Sequence, residues 1–194
     1  AQLIASAQAR LAGGTESDLP EIKAWRQTFT KMGLKPTQYR CASEALLRRL
    51  RKEGDLPRIH PLIDLCNAAS VAYAIPVGVF DLDHVTDHLE VGHATGTETY
   101  LTFADTTEHP EPGEIIFTDA AHQAHARRWS NRQSGRSAVR QETSRVLIVA
   151  EALHGTASED VPALMKTLSD AVAEAWGVTV RAGVVSAQER RFVV

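Results

Sequence analysis

Five short runs rich in β-branched and aromatic residues crowd the stretch between residues 77 and 152: Val77–Phe80, Leu89–His93, Thr99–Phe103, Glu114–Thr118 and Arg145–Ala152. Clusters of Gly, Pro, Asp and Thr separate them, as expected of strands joined by turns. Most of the gaps are too short to hold a crossover helix, which favours antiparallel or mixed pairing over a doubly wound parallel sheet.

Helical patterns flank this region. Asp18-Leu19-Pro20-Glu21 reads as an N-cap followed by a proline-containing first turn, and the helix is expected to run to Met32 before Gly33, with Trp25 and Phe29 on one buried face. Ser43–Lys52 predicts a second helix ended by Gly54, apolar at Leu46, Leu47 and Leu50 and basic at Arg48, Arg49, Arg51 and Lys52. That basic face could extend a nucleic-acid footprint or simply be solvated. Pro61 opens a third helix that stops before Pro76, with Leu62, Leu65, Cys66 and Ala69 at helical spacing. The fourth is expected to be capped by Ser158 and to run to Trp176 before Gly177, with Val178–Val185 as a closing strand. The fold class expected is α+β, with a mixed or antiparallel sheet and flanking helices in one domain over residues 1–194.

Of the 194 residues, 43% are hydrophobic and 23% charged, which excludes disorder, and no apolar run is long enough to cross a bilayer. The first fourteen residues form a polar lead-in without the apolar core of a secretory signal, so the cytoplasm is the expected location. Cys41 and Cys66 have no CxxC spacing and are expected to be buried free thiols. A net charge of −3 argues against binding nucleic acid by bulk charge, which leaves local patches.

The common signatures for nucleotide triphosphates, dinucleotides, zincins and serine hydrolases are absent. His84 with His88 and His122 with His125 have spacings that could bring two imidazoles together, but both pairs sit among polar residues and are expected to be solvated, so no metal is expected. Glu98 and Asp119 are expected as turn or cap residues.

Two segments carry chemistry. Ala126–Arg140 holds five arginines and no acidic residue, so a basic patch is expected there. Arg127, Arg128, Arg132 and Arg136 suit phosphate oxygens, Trp129 offers a stacking face, and Asn131, Gln133 and Ser134 suit a sugar or base edge. A solvated basic loop anchored by Trp129 is the alternative. The second segment runs from His60 to Asp81. Asp64 and Asn67 share a helical face, Gly78 leaves room beside the backbone, and Asn67 is expected to be hydrogen-bonded either to the scaffold or to a ligand.

In order, Pro61-Leu-Ile-Asp64 with Asn67, Pro76-Val-Gly78-Val-Phe-Asp81, Gly113-Glu114, Asp119, Arg127-Arg-Trp-x-Asn-Arg-Gln-Ser134 and Glu151 resemble the B-three/B-four editing domain of the phenylalanyl-tRNA synthetase β subunit. The resemblance spans residues 20 to 180. It implies an α+β domain that hydrolyses mischarged aminoacyl-tRNA in trans, without a cofactor, with tRNA as partner and neither DNA nor a membrane involved. Asn67, Asp81 and Glu151 would be catalytic, and Asp64, Gly78, Trp129, Asn131, Gln133 and Ser134 would line the substrate pocket. The four arginines would hold tRNA. Gly78 stands where the synthetase domain has histidine. Val149 stands where it has a glutamate that recognises the wrong amino acid, and Glu151 lies two residues on, on the same strand face. A non-catalytic module that binds tRNA or an amino acid is the alternative reading.

Overall fold

In the computed structural model, which describes residues 2–194, five helices surround antiparallel strands in the order α1 Gln2–Leu11, α2 Pro20–Lys31, α3 Ala42–Glu53, α4 Pro61–Tyr73, β1 Val77–Asp81, β2 Leu89–His93, β3 Tyr100–Leu101, β4 Thr107–Glu108, β5 Ile115–Asp119, β6 Ala124–Arg127, β7 Arg132–Gln133, β8 Val146–Ala150 and α5 Ala157–Trp176. The α+β class is as the sequence implies. The strands form separate sheets: β1 pairs with β8, β3 with β4, and β2-β5-β6-β7 form a four-stranded sheet, all antiparallel.

The polar lead-in is in fact α1. Its Ala7 and Leu11 enter a core with Ile22, Trp25, Phe29, Leu47 and Leu50. Asp18 does not cap α2. Its carboxylate turns back to accept from the Thr15 N–H at 2.9 Å, closing a 3₁₀ turn at Glu16–Asp18, and α2 starts at Pro20 behind Leu19. The Arg48 and Arg51 side chains of α3 face the buried Glu16 at 3.5 and 2.7 Å, so much of the expected basic face is spent within the fold. Helix α5 begins one residue before Ser158, behind Thr156.

Val178–Val185 is not a strand. It lies beyond α5 with Val178, Val184 and Val185 about half exposed, and it forms no ladder with any described strand. Both cysteines are free and buried, and burial pushes the Cys41 and Cys66 thiols up to about 11 and about 12. Among the described residues no helix is long and apolar enough to cross a membrane.

A second core joins α4 and α5 to the β1–β8 ribbon through Leu62, Cys66, Ala69, Ile75, Val79, Leu164 and Leu168. Between this ribbon and the four-stranded sheet, Phe80 stacks on Phe117 with ring centroids 5.4 Å apart. The cavity described next opens at this seam.

Candidate functional site

A cavity of about 80 Å³ lies where β1 and β8 meet β5, β6 and the turn between β6 and β7. Gly78 and Val149, direct partners in the β1–β8 register, form one wall. Phe80, Phe117 and Ala126 form the apolar base, and Trp129, Ser130, Asn131, Arg132 and Gln133 come from the turn and β7. Glu151, just past the end of β8, faces the same space. Gly78 leaves room in the wall: a Cβ there would meet only the Phe80 ring, Cε2 at 3.4 Å and Cζ at 3.6 Å.

The turn that delivers Trp129 is held in an unfavourable backbone. Arg128 and Trp129 have φ of 48° and 58°, a left-handed conformation that costs a non-glycine residue on the order of 1 kcal/mol or more. Four bonds hold it there. Trp129 N–H donates to the Ile115 carbonyl at 2.8 Å, Arg128 N–H donates to Glu114 Oε1 at 3.1 Å, and the Glu114 carboxylate is gripped by Arg127 Nε and Nη2 at 2.9 and 2.8 Å. Burial works against the Glu114 charge, but Arg127 holds its carboxyl below the usual range. The indole then packs edge-on against Trp25 of α2, with centroids 5.1 Å apart.

Glu151 is the electrostatic feature of the cavity. Its Oε1 accepts from Trp129 Nε1 at 2.8 Å, and no other hydrogen bond reaches its carboxylate from the described residues. Burial without a neighbouring cation pushes its carboxyl up to about 7, with the indole bond lowering it only in part. The group is therefore split between acid and base forms near neutral pH.

The other polar groups lining the cavity are mostly committed to the scaffold. Gln133 Nε2 donates to the Val79 carbonyl, and Asn131 Nδ2 donates to the Arg40 carbonyl at 2.7 Å. Arg132 also lines the cavity, with its guanidinium bonded to Glu108 at 3.1 Å and lying over the Tyr100 ring. Ser130 Oγ is buried there with no hydrogen-bond partner. Ser130 was not singled out in the sequence, where nothing distinguishes it from a neutral linker in the arginine block.

Gly78, Trp129, Asn131, Gln133 and Glu151 thus come together, as do Arg132 and Val149. Asn67 and Asp64 do not line the cavity. Asp64 Oδ1 accepts from Ile59 N–H at 2.8 Å ahead of α4, and the half-buried Asn67 side chain makes no hydrogen bond among the described residues, contrary to the expectation of a definite partner. Asp81 closes the end of β1, accepting from Asp83 N–H at 3.1 Å and Thr143 Oγ1 at 2.6 Å. Ser134 is fully buried and donates to the Leu101 carbonyl.

The continuous basic patch expected over residues 126–140 is broken up. Arg127 is only 4% exposed, paired with Glu108 and Glu114, because it sits on β6 inside the sheet rather than on a loop. Arg140 turns back onto the carbonyls of Gly135, Arg136 and Ala138. Arg128, stacked over Tyr39 at 4.8 Å, and Arg136 have no carboxylate partner among the described residues. His125 corrects another expectation. It is fully buried, bonded through Nδ1 to Ser137 Oγ at 2.9 Å and with Nε2 3.2 Å from Asp119, whereas His84, His88 and His122 are exposed. Glu98 and Asp119 both act as turn carboxylates, accepting backbone N–H groups of Thr95 and Gly96 and of Thr86, Ala121 and Gln123.

The site is thus a small, mostly apolar cavity in an α+β fold, with one buried carboxyl raised to about 7 and a few converging polar groups. Residues 24–171 match the B3/4 domain family, and the chain belongs to it. Among solved structures the chain is similar to an N-terminal fragment of the phenylalanyl-tRNA synthetase β-subunit from Pyrococcus horikoshii, at 14% identity and a TM-score of 0.47. That similarity covers 58% of this chain and 39% of the fragment, so the chain spans well under half of the fragment's length. No curated protein sequence matches the chain.

Proposed function

We propose that the chain is an aminoacyl-tRNA deacylase that hydrolyses mischarged tRNA in trans, with the aminoacyl group held in the cavity and Glu151 as the general base. The observation that carries this reading is a carboxyl with a value near 7, open to the cavity and oriented by the Trp129 indole. A base poised near the working pH is the one that best removes a proton from water while that water attacks. In the step assigned to it, Glu151 takes a proton as water oxygen bonds to the ester carbonyl carbon. The tetrahedral intermediate then expels the ribose oxygen, which takes the proton back, leaving free amino acid and tRNA with its hydroxyl restored. An aminoacyl ester is already activated, so positioning and oxyanion stabilisation supply most of what is needed.

Ser130 Oγ and Arg132, both of which line the cavity, are the donors proposed for the oxyanion, since the Asn131 and Gln133 amides each already donate to a scaffold carbonyl. Arg128 and Arg136, which have no carboxylate partner among the described residues and, unlike Arg140, are not turned back onto carbonyls of the block, are proposed to meet tRNA phosphates. Arg127 is assigned to the scaffold instead. Asp81 is given a positioning role at the end of β1, and Asn67 and Asp64 no part in the step.

A second reading, a module that binds tRNA or an amino acid without hydrolysis, draws support from the number of lining donors already committed to the scaffold. A panel of labelled mischarged tRNAs separates the two. Hydrolysis predicts turnover of one class of ester, with Glu151→Gln lowering kcat by about 10²- to 10⁴-fold at little change in KM. Binding without turnover across the panel would establish the second reading and remove the first.

A further inference from the structure

Away from the cavity, on the helical side of the molecule, three metal-ligating side chains converge from separate elements. Glu21 lies in the first turn of α2, His154 in the segment before α5, and Asp160 in the first turn of α5. One ligand atom from each lies within 4.8 Å of the other two. His154 Nε2 and Asp160 Oδ2 are already 2.8 Å apart.

The Glu21 carboxylate indicates that this cluster is incomplete by itself. Glu21 is 6% exposed, and its Oε2 is buried with no hydrogen-bond partner. His154 is 9% exposed, and its Nδ1 is likewise buried and unpartnered. Leaving a buried polar atom unsatisfied costs roughly 1–3 kcal/mol, so the unpartnered Glu21 oxygen points to a missing partner, and Nε2, which faces Asp160, is the His154 nitrogen available to it. The neighbouring cation does not fill that place. Arg10 reaches the other Glu21 oxygen, Oε1, at 2.6 Å and spends its second bond on the Ala72 carbonyl. Asp160 Oδ2 also accepts from Thr156 Oγ1 at 2.6 Å, which orients its carboxylate towards His154.

We propose that Glu21, His154 and Asp160 form a structural site for a divalent transition-metal cation, of which Zn²⁺ is the best match. One imidazole and two carboxylates suit zinc by donor type, with a water completing a tetrahedron. Zinc bonds of about 2.0–2.1 Å place its ligands roughly 3.3 Å apart, so the His154–Asp160 pair at 2.8 Å would open slightly while the Glu21 oxygen, within 4.8 Å of both, closes in. Two carboxylates against one arginine leave a net negative charge that a divalent cation offsets. The site clamps α2 to the start of α5 beside α1. Glu21 stands one helical turn before Trp25, the residue against which Trp129 packs, so the clamp bears on the cavity roof without belonging to it.

The test uses the full chain stripped with a chelator and titrated with Zn²⁺ by calorimetry and with Co²⁺ by visible absorption. The expected result is one equivalent bound, a d–d spectrum of a four-coordinate nitrogen–oxygen site, and a thermal midpoint that rises with zinc concentration. His154→Gln and Glu21→Gln should each weaken Zn²⁺ binding at least about tenfold and remove the spectrum. Should either fail to fold, Asp160→Asn carries the same expectation at a partly exposed position. Absence of binding in the native protein, or binding undiminished in the variants and therefore due to surface histidines, would overturn the proposal. Neither outcome bears on Glu151, since the deacylation panel reads a different site.

Discussion

Glu151 links stability to function closely enough that one substitution tests both. In the unfolded chain its carboxyl titrates at its ordinary 4.5, and in the folded protein burial raises it to about 7. Between those values the folded state keeps a proton that the unfolded chain has released. The contribution to stability is therefore full below about 4.5 and is lost as pH rises through about 7. At about 1.36 kcal/mol for each pH unit between the two, the loss amounts to roughly 3 kcal/mol, a large share of the ~5–15 kcal/mol that holds a domain together. Glu151→Gln keeps an oxygen to accept the Trp129 N–H and removes the charge.

Urea unfolding of both proteins from about pH 5 to about pH 8 should give curves that nearly meet at the acid end and diverge towards the basic end. At about pH 8 the variant should be more stable by up to ~3 kcal/mol, or roughly 6–12 °C in Tm for a chain of this size. If the proposed function holds, the same variant should lose deacylase activity, and in the parent protein kcat/KM for that reaction should rise through an inflection near 7. A more stable, less active protein is what a buried, uncompensated catalytic carboxylate requires. Parallel stability curves over the whole range would refute the raised value, and with it the reason for choosing Glu151 as the base.

Other perturbations probe the frame around it. Arg127→Ala should cost about 3–5 kcal/mol in denaturant unfolding, because it leaves Glu114 buried without its partner and releases the strained turn under Trp129. Intact stability in that variant would mean the turn holds itself. Gly78→Ala should fold with a change within about 1 kcal/mol, since its Cβ meets only the Phe80 ring, at 3.4 Å or more, whereas Gly78→Leu should fill the cavity and raise KM or abolish turnover. Unchanged kinetics in Gly78→Leu would place the substrate elsewhere. Burial holds the His125 imidazole below its usual 6.5, against the pull of Asp119. The unfolded chain then binds the extra proton, so this contribution is present above 6.5 and lost as pH falls below it, opposite in sign to that of Glu151. His125→Gln should flatten the acid side of the stability profile, and an unaltered acid limb would show that other groups govern it.

The sequence made the regular apolar elements legible and the paired polar ones illegible. Leu89–His93 is the predicted strand residue for residue, and Trp25 with Phe29 form the buried face their spacing requires. Ala124–Arg127 was missed because Ala-His-Ala-Arg shows no apolar alternation, although all four residues are buried. What makes that strand possible is the pairing of His125 with Asp119 and Ser137, and of Arg127 with Glu108 and Glu114, partners that only the folded sheet brings alongside. Asp64 and Asn67 do lie three apart on α4, but shared spacing on a helix does not say what the face looks at, and here the cavity is elsewhere.

The same limit decides which charged residue carries function. Glu114 and Glu151 both flank a strand of the sheet region, and as letters in a chain they are equivalent. Arg127 takes two bonds to the first and holds its carboxyl low, fixing a turn. The second meets only an indole N–H and is driven up to about 7. A carboxylate whose burial is compensated by a cation serves the fold, because its charge state never changes near neutral pH. One whose burial is left uncompensated costs the fold stability and gains the capacity to move a proton, so its persistence in a cavity calls for a use. That asymmetry, more than the arginines the sequence made conspicuous, is why the functional reading rests on Glu151.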